Sequence, residues 1–271
     1  MENLGIEFIS VFGMPPVPYV KLAHELGCRH VSAALKPMDY NPHGYPPHSL
    51  RDPVVRRDMI AAIADYGVSM SLGEGFLVQP GVDGRETWAA DLETMSALGV
   101  KLINAVSFEP DLQRNVDQFG RLAETASTFG IKTLLEFVPI FAVADLPTAH
   151  AIARQIGRPD FGLMIDTMHV GRTGATAADL AAIDPALVGH IQLCDAPLKP
   201  TIADYMEEAM YQRMVPGEGE LALYDMLAAL PRDRIVGLEI PLRSEAEAGV
   251  GPRERLGRCV AAARELLARL P

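Results

Sequence analysis

The chain repeats one pattern: an amphipathic stretch closes on a glycine, a short apolar run follows, and a polar loop leads onward. The junctions read ELGCRHVSAALKP, DYGVSMSLGEGF, ALGVKLINAVSF and TFGIKTLLEFVP. Their glycines, Gly27, Gly67, Gly99 and Gly130, are spaced 40, 32 and 31 residues apart. A glycine in that place suits the positive φ that ends a helix, and the run behind it has the length and β-branching of a buried strand. Near-continuous apolar strands alternating with helices predict a parallel sheet.

Eight strands are predicted on this basis, at 5–12, 30–37, 69–76, 101–108, 132–139, 161–166, 188–194 and 235–241. Helices fall between them, among them 56–66, 116–129 and 146–156, and a last one over 253–270 closes the chain. Eight strand–helix units in 271 residues match an α/β fold of the (β/α)8 barrel type. A doubly wound open sheet fits less well, because the first turn, FGMPPVPY, carries no GxGxxG. No linker or shift of composition divides the chain, so residues 1–271 are expected to form a single barrel domain. Two loops are long: 37–53, rich in Pro and aromatic residues after strand 2, and 196–218 after strand 7. Both would lie on the C-terminal face, where barrels build their sites, and both are expected to act as lids.

The chemistry is carried by acids that interrupt apolar strands. LLEFVP places Glu136 at the end of strand 5, and LMIDTMH places Asp166 at the end of strand 6 with His169 three residues on. GHIQLCD puts Gln192 inside strand 7, and GLEIP puts Glu239 at the end of strand 8. Charged groups are rarely buried unless paired or bound to a cation. Four oxygen donors on four consecutive strands would converge near the barrel axis, where three carboxylates need neutralising. Glu136, Asp166, Gln192 and Glu239 are therefore expected to hold one divalent ion. An all-oxygen set suits Mn²⁺ or Mg²⁺ foremost, with Zn²⁺ or Co²⁺ as alternatives. Lys36 and Glu74, at the ends of strands 2 and 3, would face the same pocket, Glu74 bonding a substrate hydroxyl or pairing with Lys36. His190 is expected to point away from the metal and to play a structural part.

These residues resemble a known family, the xylose-isomerase-like TIM barrels of the AP endonuclease family 2 type. Its members include sugar epimerases, hydroxypyruvate isomerase, inosose dehydratase and dehydroshikimate dehydratase. The resemblance rests on the strand-5 Glu136, on DxxH as Asp166 to His169, on an HxHxxD-like element, on RxxPGxG as Arg213 to Gly219, and on the strand-8 LEIP. It implies that Glu136 and Glu239 also exchange protons with the substrate, while His169 and Arg213 bind substrate oxygens. The implied activity is a divalent-metal-dependent isomerase or epimerase of a keto-sugar or related polyol, working through proton transfer between two glutamates across a metal-chelated enediolate. The alternative is a metal-dependent dehydratase or lyase on a cyclic hydroxyketone or keto acid. Three features depart from the family pattern. Gln192 stands where a His is usual. The stretch Phe137 to Ala142 is an apolar wall where the epimerases carry polar residues. Arg213 follows a long insertion that can bring Tyr205, Met210 or Tyr211 over the pocket.

Composition narrows the partners. The chain holds 24 Lys+Arg against 35 Asp+Glu, a formal charge of −11, and is 49% hydrophobic. With no basic run, a nucleic-acid partner is not expected, and an endonuclease-like reading would also need further His ligands where strands 2, 3 and 7 instead present Lys36, Glu74 and Gln192. No apolar stretch approaches the roughly 20 residues of a membrane span, and the N-terminus, MENLGIEFIS, is unlike a secretory signal. Cys28, Cys194 and Cys259 are far apart and read as reduced, buried thiols. The expectation is a cytoplasmic enzyme of a small molecule, its assembly into homo-oligomers left open. Neither GxSxG nor a P-loop occurs.

Overall fold

The computed structural model describes residues 3–271. Its eight parallel strands are β1 (Leu4–Ile6), β2 (His30–Ala34), β3 (Ser69–Val78), β4 (Leu102–Ser107), β5 (Lys132–Leu135), β6 (Phe161–Asp166), β7 (Val188–Leu193) and β8 (Val236–Leu238). They close in chain order, β8 pairing back onto β1 through Leu4↔Val236 and Ile6↔Leu238. The α/β barrel expected from the repeat is the fold observed.

Between the strands run α1 (Pro16–Glu25), α2 (Pro53–Tyr66), α3 (Arg85–Ala97), α4 (Leu112–Ser127), α5 (Leu146–Ile156), α6 (Thr167–Thr173) and α7 (Ala177–Ala181). Beyond β7 come α8 (Tyr205–Tyr211) and α9 (Leu223–Ala228), and after β8 α10 (Arg243–Glu247) and α11 (Pro252–Ala268). The helices start where short acids meet the first free N–H groups. Asp52, Asp111 and Asp145 each accept such a bond, from Val54, Arg114 and Thr148. The four junction glycines all take positive φ, from 61° at Gly67 to 83° at Gly99.

Several strands are shorter than their apolar runs suggested. The first was expected over 5–12 but ends at Ile6 and gives way to a 3-10 turn over Phe8–Val11. Phe12 there takes φ 47 and Gly13 φ 77, which turns the chain out of the barrel. β2, β5 and β8 stop short of Pro37, Pro139 and Pro241, each of which lacks the N–H a ladder needs. Glu136 and Glu239 are thus the first residues past their strands, still tied by their own N–H groups to Ala105 O at 3.0 Å and Leu193 O at 3.2 Å.

The main core lies between sheet and helices. A smaller cluster, Leu72, Leu134 and Met164, fills the barrel interior from below. Above it the interior turns polar. His190, expected to point away from the metal, instead points into the barrel, where its Nε2 lies 2.9 Å from Glu7 Oε1, both side chains fully buried. Residues two apart share one face of a strand, so His190 and Gln192 both face inward. Glu7 fits only because β8 carries Gly237: a Cβ there would come 1.4 Å from Glu7 Oε1. The three cysteines are free and buried. Among the described residues no helix is long and apolar enough to cross a membrane.

Candidate active site

Asp166 ends β6 and caps α6: its Oδ1 accepts N–H bonds from Met168 at 2.7 Å and His169 at 3.2 Å. The same capping that starts α6 therefore aims His169 back over the barrel. His169 Nε2 lies 3.1 Å from Glu136 Oε1, and Asn104 Nδ2 donates to Glu136 Oε2 at 2.7 Å. One donor atom from each of Glu136, Asp166 and His169 lies within 4.8 Å of the others.

The opposite half of the site is organised by Arg213. Its Nη1 donates to Asp166 Oδ2 at 2.6 Å, its Nη2 lies 2.7 Å from Glu239 Oε2, and its Nε donates to Ala209 O at 2.7 Å. Arg213 is held between two short bridges, Gln212↔Leu242 and Asp195↔Met214. The buried Asp195 carboxylate then accepts backbone bonds from Ala196, Gly217 and Leu221, which shapes the PGEG turn. Gln192 Nε2 donates to Glu239 Oε1 at 3.0 Å, and its Oε1, fully buried, has no hydrogen-bond partner.

The electrostatics follow from burial and from this pairing. Burial works against the charge on Asp166, but Arg213 and His169 beside it bring its carboxyl down to about 2. Burial pushes Glu239 well above the usual carboxylate range, with Asp166 and Glu136 adding to the rise and Arg213 opposing it. Were all three carboxylates ionised, one guanidinium would leave two negative charges uncompensated among buried side chains, and the upward push on Glu239 is one expression of that excess. A divalent cation matches that count, and the unpartnered Gln192 Oε1 is an acceptor of the kind it would take. The donors present fit such an ion, with His169 as a further nitrogen donor beside the oxygens.

Lys36 and Glu74 line one cavity of about 280 Å³ with Arg51 and Asp91. They do not pair. Glu74 is bonded by Ser32 Oγ and its carboxyl is pushed well up by burial and by the charges of Glu7 and Glu239. Lys36 is exposed and has no ion-pair partner among the described residues. The apolar wall after β5 divides: Phe137 and Val138 are buried, whereas Ile140 is 52% exposed and Phe141 packs on Phe108 at 4.7 Å.

The 196–218 loop lies over the site. Tyr205 Oη is 2.5 Å from His169 Nδ1, and Arg172 Nη2 donates to both carboxylate oxygens of Glu208 at 2.9 Å. Tyr211 packs instead on Tyr40 of the 37–53 loop, ring centres 5.2 Å apart. Asn104, Glu7 and the Arg172–Glu208 pair were not picked out from sequence. Asn104 in LINAVS and Glu7 in GIEFIS interrupt apolar runs just as Glu136 does, so the same signal could have found them.

The family model described as xylose isomerase-like TIM barrel matches residues 20–259. Two curated relatives, each named inosose isomerase, come from Halalkalibacterium halodurans and Bacillus subtilis. They are 28% and 29% identical over 149 residues, covering 51% of this chain and 51% and 52% of theirs. The match thus spans about half the length of these relatives. Among solved structures, IolI protein with a binding zinc atom superimposes with a TM-score of 0.82 at 19% identity, covering 99% of both chains. An L-ribulose 3-epimerase gives 0.72 at 14% identity, covering 98% of this chain and 94% of its own. At such identities these structures speak for the fold. The barrel, the strand-end carboxylates and a family model spanning nearly the whole chain agree: this chain belongs to the xylose isomerase-like TIM barrel family.

Proposed function

We propose that the chain is a divalent-metal-dependent isomerase or epimerase of a keto-sugar or a cyclic polyhydroxy ketone such as an inosose. The observation that carries this is the pair Glu136 and Glu239, each buried and each oriented by its own hydrogen bonds, on either side of Asp166 and Arg213. The relatives named inosose isomerase favour a cyclic substrate. Glu136, Asp166, Glu239 and Gln192 Oε1 would hold the ion, which supplies a Lewis acid for a carbonyl and so acidifies the neighbouring C–H.

The chain's own groups do the rest. One glutamate removes the proton from carbon and the other returns one at the adjacent atom or the opposite face. Asn104 and His169 orient Glu136, while Gln192 and Arg213 orient Glu239. Lys36 and Glu74, on their shared cavity, would meet the remote hydroxyls. A second reading, elimination of water, would use His169, held between Tyr205 and Glu136, as the acid toward a departing hydroxyl.

The test is elemental analysis of protein purified without chelator, together with incubation with inosose. The expected result is about one divalent ion per chain, a product of unchanged mass, and more than a tenfold loss of turnover in Glu239→Gln. A product lighter by one water would establish the second reading. Absence of metal even after incubation with Mn²⁺ or Zn²⁺ would overturn both.

A further inference from the structure

Arg255 is a buried cation that the candidate site does not use. It stands at the start of α11, is 1% exposed, and forms no ion pair among the described residues. Its Nε and Nη1 have no hydrogen-bond partner, and its guanidinium lies over the Phe12 ring, 5.1 Å from the centre. Buried charges are as a rule paired. The one polar side chain that Arg255 engages is His43, on the 37–53 loop, whose Nε2 lies 3.1 Å from Arg255 Nη2. We propose that His43 and Arg255 form a latch that holds the 37–53 loop against the barrel mouth, and that a proton taken up by His43 releases it.

The roles in this contact are fixed by chemistry. A guanidinium has only donors, so His43 Nε2 must accept, and an imidazole accepting there is neutral with its proton on Nδ1. A second proton would land on the accepting nitrogen and set an imidazolium against a guanidinium. Burial and the charge of Arg255 accordingly hold His43 below the ordinary imidazole range. Arg255 is the charge that bears on His43. Tyr40 and Tyr45 of the loop, Glu245 of α10 and Cys259 of α11 face the guanidinium. Glu245 is engaged by Arg258 instead, and Phe12, from the turn after β1, brings no charge.

The loop is shaped to present His43. Asn41 braces its tip, Nδ2 donating to Tyr45 O at 2.8 Å and Oδ1 accepting from the Tyr45 N–H at 3.0 Å, while Gly44 turns the chain at φ 65. Three residues before His43, Tyr40 packs edge-on against Phe12 and Tyr211, 5.2 Å from each, and donates to Glu247 Oε1 at 2.7 Å. Phe12 thus meets both the latch cation and the loop. Tyr211 belongs to α8, whose Tyr205 reaches His169, and Lys36, just before the loop, lines the cavity of Glu74. Releasing the latch would free the cover between those two points. The direction with pH follows from the lowered value: a latched His43 takes up a proton less readily than a free one. The latch is at full strength above about pH 6.5 and weakens as pH falls below it, by at most about tenfold per unit, until the latched value is passed.

The test is hydrogen–deuterium exchange over residues 38–50 at pH 5.5 and 7.5, each rate corrected for the intrinsic effect of pH on exchange. Wild-type protection should be about three- to tenfold lower at pH 5.5. His43→Gln keeps an acceptor for Arg255 but cannot titrate, so its protection should be equal at both values. Arg255→Met should exchange fast at both, and His48→Gln, which alters the other imidazole of the loop, should respond as wild type does. Equal wild-type protection at the two pH values overturns the proposal, as does an acid loss that persists in His43→Gln or is spread evenly over the chain. His43 is a half-buried loop residue, so its variant decides the matter even if Arg255→Met does not fold. That the loop governs entry of substrate rests on the proposed function; the latch does not, since exchange is read without substrate.

Discussion

Arg213 is the cation on which the charge balance of the site turns, and replacing it tests that balance directly. Its guanidinium, 3% exposed, meets Asp166 at 2.6 Å and Glu239 at 2.7 Å. Arg213→Met keeps most of the aliphatic stem and removes only the charge and its hydrogen bonds. Breaking a buried ion pair from one side costs about 3–5 kcal/mol, because the remaining charge is left uncompensated. At about 2–4 °C per kcal/mol for a chain near this size, the melting temperature in EDTA should fall by roughly 6–20 °C. Glu239, already pushed toward its protonated form by burial, limits the loss by taking up a proton. On the proposed function, a divalent ion bound there would supply the missing positive charge. At 100 times its dissociation constant it adds about 2.7 kcal/mol to any state that binds it, and the variant should bind it more tightly. The assay is thermal unfolding of wild type and variant, each in EDTA and in excess Zn²⁺. Zn²⁺ should raise the melting temperature more in Arg213→Met than in wild type. An equal or smaller rise in the variant would refute the idea that guanidinium and metal share the neutralisation of these carboxylates.

Three further outcomes follow from the same structure. Gln192→His should raise the affinity for Zn²⁺ relative to Mg²⁺, measured by competition with a chromophoric chelator; an unchanged ratio would mean that position 192 does not ligate. Gly237→Ala should destabilise the barrel severely or prevent folding, as judged by soluble yield and unfolding midpoint, since its Cβ would lie 1.4 Å from Glu7 Oε1. On the surface, Arg158 hydrogen bonds hold the Asp160 carboxyl below its ordinary value, against the opposing effect of burial. The stability this adds is present above about pH 4 and lost as pH falls through the lowered native value. Asp160→Asn should therefore cost under about 1 kcal/mol near neutrality, with the gap to wild type closing in acid, as urea titrations at several pH values would show.

What could be read in the sequence was what repeats or interrupts locally. The period of amphipathic stretch, glycine and apolar run specifies eight strands and the helices between them, because helix caps and strand burial act within a few residues. Glu136, Asp166 and Glu239 were legible for a similar reason: an acid at the end of a buried strand has few ways to be stable. Strand ends were overestimated at β1, β2, β5 and β8, where apolar residues continue past the point at which a turn or a proline breaks the ladder. The same acids gave no indication of what they touch. Arg213 reaches Asp166 across 47 residues of chain, Tyr205 reaches His169 across 36, and His190 meets Glu7 across 183. Barrel closure and loop folding choose those partners, since each needs two distant segments to arrive at one depth and one facing. The sequence by itself determined the barrel and which strand ends carry charge. That Arg213 bridges Asp166 and Glu239, and that the Gln192 amide meets Glu239, came only with the folded chain, because those pairings depend on distances of a few ångströms between segments that no local pattern relates.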